Sequence, residues 1–352
     1  MRAAYLERLG PPSEIRFGKL PDPSPGPCDV LVDVWAGTVN PVDTFVRSGR
    51  FATPVAFPFV IGRDLVGRVA RVGPGAPGFA VGDPVWSNSL GHGGRQGAAA
   101  ERAVVAADRL YRLPPGVDPY TAVAMLHPAA TAHLALFAHG GLRAGDTVLI
   151  AGAAGNVGGA LVTLAAEAGA RILATASARD ARYCRELGAE IVCDYRDPDL
   201  TRHLAEAAPN GVDLYLDTSG RNDLAAAVDL LARRGRIVLL AGAGSGTAPV
   251  LPASELYMKD GSIRGFVISH AGVDELAAAA GTINRLLGSG RLRPRAMEIL
   301  PLSAAADVHR RMERHELHGT RVVLRTDAAH RLDSPGPADS PGRAGPPGPA
   351  GE

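Results

Sequence analysis

Cysteine is scarce in this chain of 352 residues: Cys28, Cys184 and Cys193 stand apart, with no Cys-x-x-Cys pair among them. Neither a disulfide framework nor a structural zinc knuckle can be built on that spacing, and the three thiols are expected to be reduced. Net charge is missing too. The 37 basic and 36 acidic residues leave a formal charge of +1, so no overall field gathers nucleic acid or an anionic membrane, and any ligand must be recognised locally. The opening "MRAAYLERLGPPSE" carries charges and has no apolar segment, which argues against a signal peptide. No stretch reads as the roughly 20 apolar residues that a membrane span needs. A cytoplasmic protein with neither nucleic-acid nor membrane partners is expected.

What is present is ample apolar content, 46% of residues, and a length that suits two domains with ordinary buried cores. Up to about residue 115, short β-branched runs such as "DVLVDVWAGTV" and "DLVGRVARVG" are cut by Gly and Pro at the spacing of a compact barrel or sandwich. From about residue 120 the pattern changes. "TAVAMLHPAATAHLALFAHGGL" reads as a long helical stretch with an interruption at Pro128, and strands then alternate with helices from "DTVLIAGA" to "RIVLLAG". Such alternation builds a parallel sheet with helices on both faces. After about residue 265 the chain returns to mixed α and β, with helices at "DELAAAAGTINRLLGSG" and "AAADVHRRMERHE" and a last strand at "TRVVLRT". From Asp327 onward Pro, Gly, Ala and Ser dominate, and disorder is expected.

Within the alternating region, "VLIAGAAGNVGGALVTLAAEAGARILATA" gives the order strand, glycine turn, helix, strand that a mononucleotide-binding unit requires. Gly152 allows a sharp turn at the strand end, Gly155 leaves no side chain in the path of a pyrophosphate, and Gly158 lets the helix lie close on the sheet. Ala153, Ala154, Asn156 and Val157 fill the rest of the turn. Free N–H groups and the helix dipole favour a phosphate there by about 0.3–1 kcal/mol or more. The far end of the next strand bears on which dinucleotide binds. An NAD site usually places Asp or Glu at that point for the ribose hydroxyls, whereas "ATASARD" puts Ser177 and Arg179 there, with Arg182 one helical turn on. Hydroxyl donors and guanidinium groups suit a 2′-phosphate, so NADPH is the expected cofactor. Asp180 dissents, and is expected to face solvent or to pair with a nearby arginine.

In series, "GTVNPVDTFVRSG", "PFVIGRDLVGRVARVGPG", "VGDPVW", "HPAATAHLAL", "AGAAGNVG", "LGAEIVCDYRD" and "LDTSG" resemble the medium-chain dehydrogenase/reductase superfamily, and within it the zinc-free NADPH:quinone oxidoreductases of the zeta-crystallin-like group. The resemblance covers nearly everything except the tail. It implies an α/β protein with a GroES-like β-barrel catalytic domain from residues 1–119 and 265–327. A Rossmann domain with a doubly wound parallel sheet is implied for residues 120–264, followed by a disordered tail at 328–352. The active site would lie in the cleft between the domains, and the assembly would be a homodimer. Tyr195 is implied as a contact of the 2′-phosphate. Asn40, Asp43, Phe45 and Arg47 are implied near the nicotinamide, with Thr131 at its carboxamide end and Phe266 and Gly242 beside the ring. Where zinc-dependent relatives place Cys, His and Cys, this chain has Asn40, Arg63 and His127. A single possible ligand does not hold zinc, so no metal is expected.

Without a Lewis acid an unactivated alcohol is hard to oxidise. Hydride addition to a quinone or an α,β-unsaturated carbonyl is easier, because the resulting oxyanion needs only hydrogen-bond donors and a proton. Reduction of a small quinone or enone is therefore the first reading. A pathway-specific enoyl reductase is the second. The third, from another class, is a non-catalytic NADPH-binding protein with a structural or sensing role. Phe45 stands where family members often carry Tyr, which leaves the proton donor open among Arg63, His127, His92 and water. Each candidate also has a plainer role: His127 beside Pro128 in satisfying backbone groups, His92 as a surface residue, and Asn40 and Asp43 as turn residues around a proline.

Overall fold

The computed structural model describes residues 1–242 and 249–327. The tail at 328–352, expected to be disordered, lies outside the described residues. Six parallel strands form one sheet in the spatial order Ile191–Asp194, Arg171–Ala176, Thr147–Ala151, Val212–Asp217, Leu231–Leu239, Ser262–Gly265. Its central strands are buried on both faces, which is why "VLIA" and "ILATA" are continuous apolar runs rather than alternating ones. Strand order reverses at Thr147–Ala151: the chain first runs outward to one edge, then returns on the other side with Val212–Asp217. In such sheets ligands bind beyond the carboxyl ends of the strands that flank the reversal. Gly152 and Thr218 stand at those two ends.

The second body is mostly antiparallel and draws on both ends of the chain. Asp29–Thr38 lies at its centre, paired with Leu65–Val72, Arg102–Ala106 and Thr320–Arg325. Pro84–Ser87 and Tyr111–Arg112 extend one side, Ala296–Pro301 the other, and a three-stranded sheet built on Arg2–Leu6 completes the GroES-like barrel. Pairing of Val323 with Thr38 brings the last strand beside the segment that leads to Asn40.

Two local expectations are corrected. Pro41–Ser48, where Asn40 and Asp43 were expected as turn residues around a proline, is a helix. Asn40 is its N-cap, with its own N–H donating to Asp43 Oδ2 at 2.7 Å, Pro41 opens the first turn, and Gly49 ends it at φ +80°. Residues that suit turns are also the residues that start and stop helices. Pro128, expected to interrupt a helix, does not: Pro119–His133 runs through it and continues as a π-helical turn at Leu134–His139. Proline cannot donate to the Ala124 carbonyl four residues back, and Arg321 Nε donates to that carbonyl instead, at 2.7 Å. A guanidinium from the last strand thus replaces the missing N–H. Contrary to the expectation from sequence, Pro119–His139 is long and apolar enough to cross a membrane; 78% of its apolar window is buried inside the protein, as in the core helix of a folded domain.

Candidate active site

Gly152 ends the first strand of the parallel sheet at φ +79°, a conformation that L side chains rarely adopt. Thr218 braces it by donating its hydroxyl to the carbonyls of Ala151 and Gly152, at 2.8 and 3.1 Å. A Cβ on Gly158 would lie 2.2 Å from the Gly152 carbonyl oxygen, so the helix Asn156–Glu167 packs against the turn itself as well as the sheet. Gly155 differs from both. It is exposed, and a Cβ there would meet nothing nearer than the Gly152 carbonyl oxygen at 3.4 Å. The helix behind it has no capping side chain and no acid in its first turn. Its first N–H groups, at Asn156 and Val157, therefore offer donors and the positive end of a dipole to an open cradle, which fits a diphosphate. Ala153 is buried and donates its N–H to the Thr175 carbonyl at 3.0 Å, while Ala154 faces the last loop at Gly319.

At the far end of the next strand, Ser177 donates to Asp180 at 2.6 Å, and Arg295 donates to the other carboxylate oxygen at 2.6 Å. Burial resists ionisation of Asp180, but these two bonds outweigh it and hold the carboxyl below its ordinary range. The dissenting acid is thus paired, with an arginine remote in sequence. Arg179 is 76% exposed and lies 3.7 Å from Asp180, a looser pair than that of Arg182, also exposed, which is tied to Glu186 one turn along its own helix at 2.7 Å. The Tyr195 ring carries two guanidinium groups, Arg196 at 5.0 Å and Arg221 at 5.4 Å from its centroid. Neither arginine was singled out from the sequence, although each follows the carboxyl end of a parallel strand. A cavity of about 310 Å³ opens beside them, with Gly152, Thr175, Tyr195, Asp217, Ser219 and Arg221 in its wall. Gly242, at φ +108°, closes on Asn222, whose amide nitrogen stands 2.0 Å from where a Cβ would be.

Around Asn40 lies a buried network of charges. Asp64 Oδ2 accepts from Thr38 Oγ1 at 2.7 Å and from Asn40 Nδ2 at 2.9 Å, and Arg321 Nη2 donates to Asn40 Oδ1 at 3.0 Å. Burial raises Asp64 above the ordinary carboxylate range, against the pull of these partners. Burial also pushes Asp43 up to about 7, although Arg63 and the Asn40 N–H favour its charged form. Arg63, 1% exposed, donates to Ser269 Oγ and keeps an unpartnered Nε. His127 is held neutral, well below its ordinary value, first by burial and then by Arg63 and Arg321. Thr131 spends its hydroxyl on the His127 carbonyl at 2.9 Å. Asp64 and Arg321 were missed in the sequence: one follows Arg63 directly, the other lies in the last strand, and only the barrel brings them together.

Arg47 does not join this network. Its guanidinium donates to the Gly10 carbonyl at 2.8 Å and pairs with Glu313, so its expected place near the nicotinamide is corrected to a tie between the first helix, the N-terminal segment and a C-terminal helix. Phe45 is half-buried beneath the Arg50 guanidinium, at 4.7 Å. Phe266 stacks on His139 at 4.3 Å. His92 is half-buried and lowered to about 4, first by burial and then by the charges of Arg63, Arg109, His270 and Arg95.

Residues 26–115 match the family model described as alcohol dehydrogenase GroES-like domain, and residues 156–284 match that described as zinc-binding dehydrogenase. Quinone oxidoreductase of Rattus norvegicus is 30% identical over 312 residues, 88% of this chain and 93% of its own. The chain belongs to the medium-chain dehydrogenase/reductase superfamily, among its quinone-oxidoreductase-type members. Solved structures of this superfamily superpose closely. Mycobacterial Rv1454c complexed with NADPH gives a TM-score of 0.79 at 29% identity, over 92% of this chain and 99% of that one. An NAD-dependent alcohol dehydrogenase gives 0.83 at 31% identity, over the same 92% and 99%. Because medium-chain dehydrogenases of equal likeness carry different cofactors in their names, the choice of nucleotide must be argued from the residues around Tyr195.

Proposed function

We propose that the chain is a cytoplasmic NADPH-dependent reductase of quinones or α,β-unsaturated carbonyls that works without a metal. Its cleft would lie between a barrel domain of residues 1–119 and 265–327 and a dinucleotide domain of residues 120–264. The observation that carries this is the uncapped, acid-free helix start behind Gly155, with arginines gathered around Tyr195 at the far end of the same sheet edge. Rv1454c with NADPH and the relatives named quinone oxidoreductase support it.

In this reading Gly152 to Gly158 hold the diphosphate. Ser177, Arg179 and Tyr195 face the 2′-phosphate, joined by Arg196 and Arg221, while Arg182 contributes least. Asn40, Thr131, Gly242 and Phe266 flank the nicotinamide. When bound, NADPH supplies a hydride to the electron-poor carbon of the acceptor; the displaced electron pair moves to the carbonyl oxygen, and a proton completes the product. The chain's own residues orient the acceptor and exclude water. His127, kept neutral, and His92, at about 4, are not cationic acids near pH 7, and the Arg63 guanidinium does not give up a proton, so the proton is assigned to water. Zinc does not fit: Asn40 Oδ1 is taken by Arg321, Arg63 places a cation where a ligand would stand, and His127 remains as one donor. A homodimer is part of the proposal, supported by the edge strand Ser262–Gly265, paired on one side only among the described residues, and by the exposed Val250, Tyr257, Met258 and Val267 that flank it in sequence.

Following NADPH absorbance against 1,4-benzoquinone, 9,10-phenanthrenequinone, enones and enoyl thioesters tests the proposal. Oxidation with at least one class is expected. Tight NADPH binding with no oxidation across the panel would favour the structural or sensing alternative, and a single enoyl thioester reduced to one stereoisomer would favour the biosynthetic one.

A further inference from the structure

Beside Arg63 lies more positive charge than hydride transfer to a neutral acceptor requires. Segments remote in sequence converge beside Arg63: His92, Arg109, and Ser269 with His270. Arg63 Nη2 donates to Ser269 Oγ at 2.5 Å, Arg109 Nη2 donates to the Ala271 carbonyl at 3.4 Å, and the His270 ring lies 6.0 Å from that of Phe51. His92 sits within reach of the charges of Arg63, Arg109, His270 and Arg95. Among the described residues, neither Arg63 nor Arg109 has a carboxylate oxygen within 4.0 Å. Asp43 and Asp64, whose charges reach Arg63, are buried, with their hydrogen bonds directed to Asn40 and Thr38. Arg95 has its own partner in Asp29, at 3.2 Å. His92, lowered to about 4, offers a neutral ring, so the positive charge here is that of Arg63 and Arg109; an anionic ligand offsets their mutual repulsion and gains charge-assisted hydrogen bonds. In a chain of net charge +1, an anion has to be recognised locally in this manner.

We infer that this side of the cleft is an anion subsite, in which Arg109, His92 and His270 hold a carboxylate or phosphate carried by the acceptor while buried Arg63 adds positive charge from behind. The inference rests on the proposed reductase function and narrows its substrate class to unsaturated carbonyls that bear an anionic group.

A matched set of acceptors tests it: 4-phenyl-3-buten-2-one bearing a para carboxylate, a para phosphate or a para methyl ester, with the saturated products as binding probes. Calorimetry on the full chain with NADP⁺ reads binding, and NADPH oxidation reads kcat/KM. A preference of at least tenfold for an anionic probe over the ester is expected in both readouts, and the ranking of carboxylate against phosphate identifies the group. In Arg109→Gln the preference should fall to within about threefold; His270→Gln, at an exposed position, should lose a smaller share and stands in if Arg109→Gln fails to fold. Equal binding of ester and anions by the unsubstituted chain, or a preference unchanged in both variants, overturns the subsite. Selective anion binding without reduction of any acceptor keeps the subsite and sinks the reductase; reduction of all three without preference does the reverse.

Discussion

Two charged regions of this molecule obey different physics. Around Asp64, charges sit in the interior: Asp64 is 0% exposed and Arg321 2%, and side chains from both ends of the chain hold one another through hydrogen bonds. Around Tyr195, guanidinium groups lie over a ring at the surface, and Arg179 is 76% exposed. The interior set is arranged before any ligand arrives, and removing one member leaves another charge desolvated and unpaired. The surface set costs the fold little and acts only when an anion is present. On the proposed reading, one region positions the chemistry and the other selects the cofactor.

The comparison breaks most sharply at Arg321. Arg321→Met strips donors from the Ala124 carbonyl, Thr38 and Asn40 and takes from Asp64 the guanidinium 3.9 Å away. A loss of about 3–5 kcal/mol in guanidinium denaturation is expected, and a loss under about 1 kcal/mol would show that the interior charges do not depend on one another. Next come the glycines. Gly158→Ala drives a Cβ into the Gly152 carbonyl, and should cost about 1–3 kcal/mol of stability together with NADPH binding. Gly155→Val puts its Cβ in ordinary contact with the Gly152 carbonyl oxygen, at 3.4 Å and φ −73°, and should cost under about 1 kcal/mol of stability as a poorer N-cap while NADPH affinity falls at least tenfold.

These contrasts also mark what the sequence disclosed. The strand-and-helix alternation from Thr147 to Leu239 was legible, because a buried parallel strand must be an unbroken apolar run and a surface helix must be amphipathic. The glycine turn was legible for the same reason: each glycine answers a local demand. The buried network was half visible. Asn40, Asp43, Arg63 and His127 stood out, but Asp64 and Arg321 meet only when the last strand pairs with Asp29–Thr38, a contact between residues nearly 300 positions apart that no local pattern encodes. Pro128 misled because its usual penalty is met by a side chain from outside the helix. Arg182 attracted notice by its position, yet its charge is shared with Glu186, whereas Arg221 was hidden behind a loop whose path depends on Asp217, which accepts from the N–H groups of Ser219 and Asn222 at 2.6 and 2.7 Å.

Smaller effects sharpen the cofactor half of the comparison. Arg221→Ala, Arg196→Ala and Arg179→Ala should each weaken NADPH roughly tenfold, leave NADH within about twofold, and not move the unfolding transition. Arg182→Ala should do least, with NADPH affinity within about twofold of the unsubstituted chain. If Arg182→Ala cost as much as Arg221→Ala, the ion pair with Glu186 would have to open on binding, and the ranking of these arginines would be wrong.

Calorimetric titration of the purified chain with NADPH and with NADH reaches the central point, that the bare turn at Gly152 to Gly158 takes the diphosphate and the arginines about Tyr195 prefer the phosphorylated nucleotide. Saturable binding of NADPH, at least tenfold tighter than NADH, with the gap closing in Arg221→Ala, is the expected result. Uptake of neither nucleotide, or equal affinity for both, would contradict it.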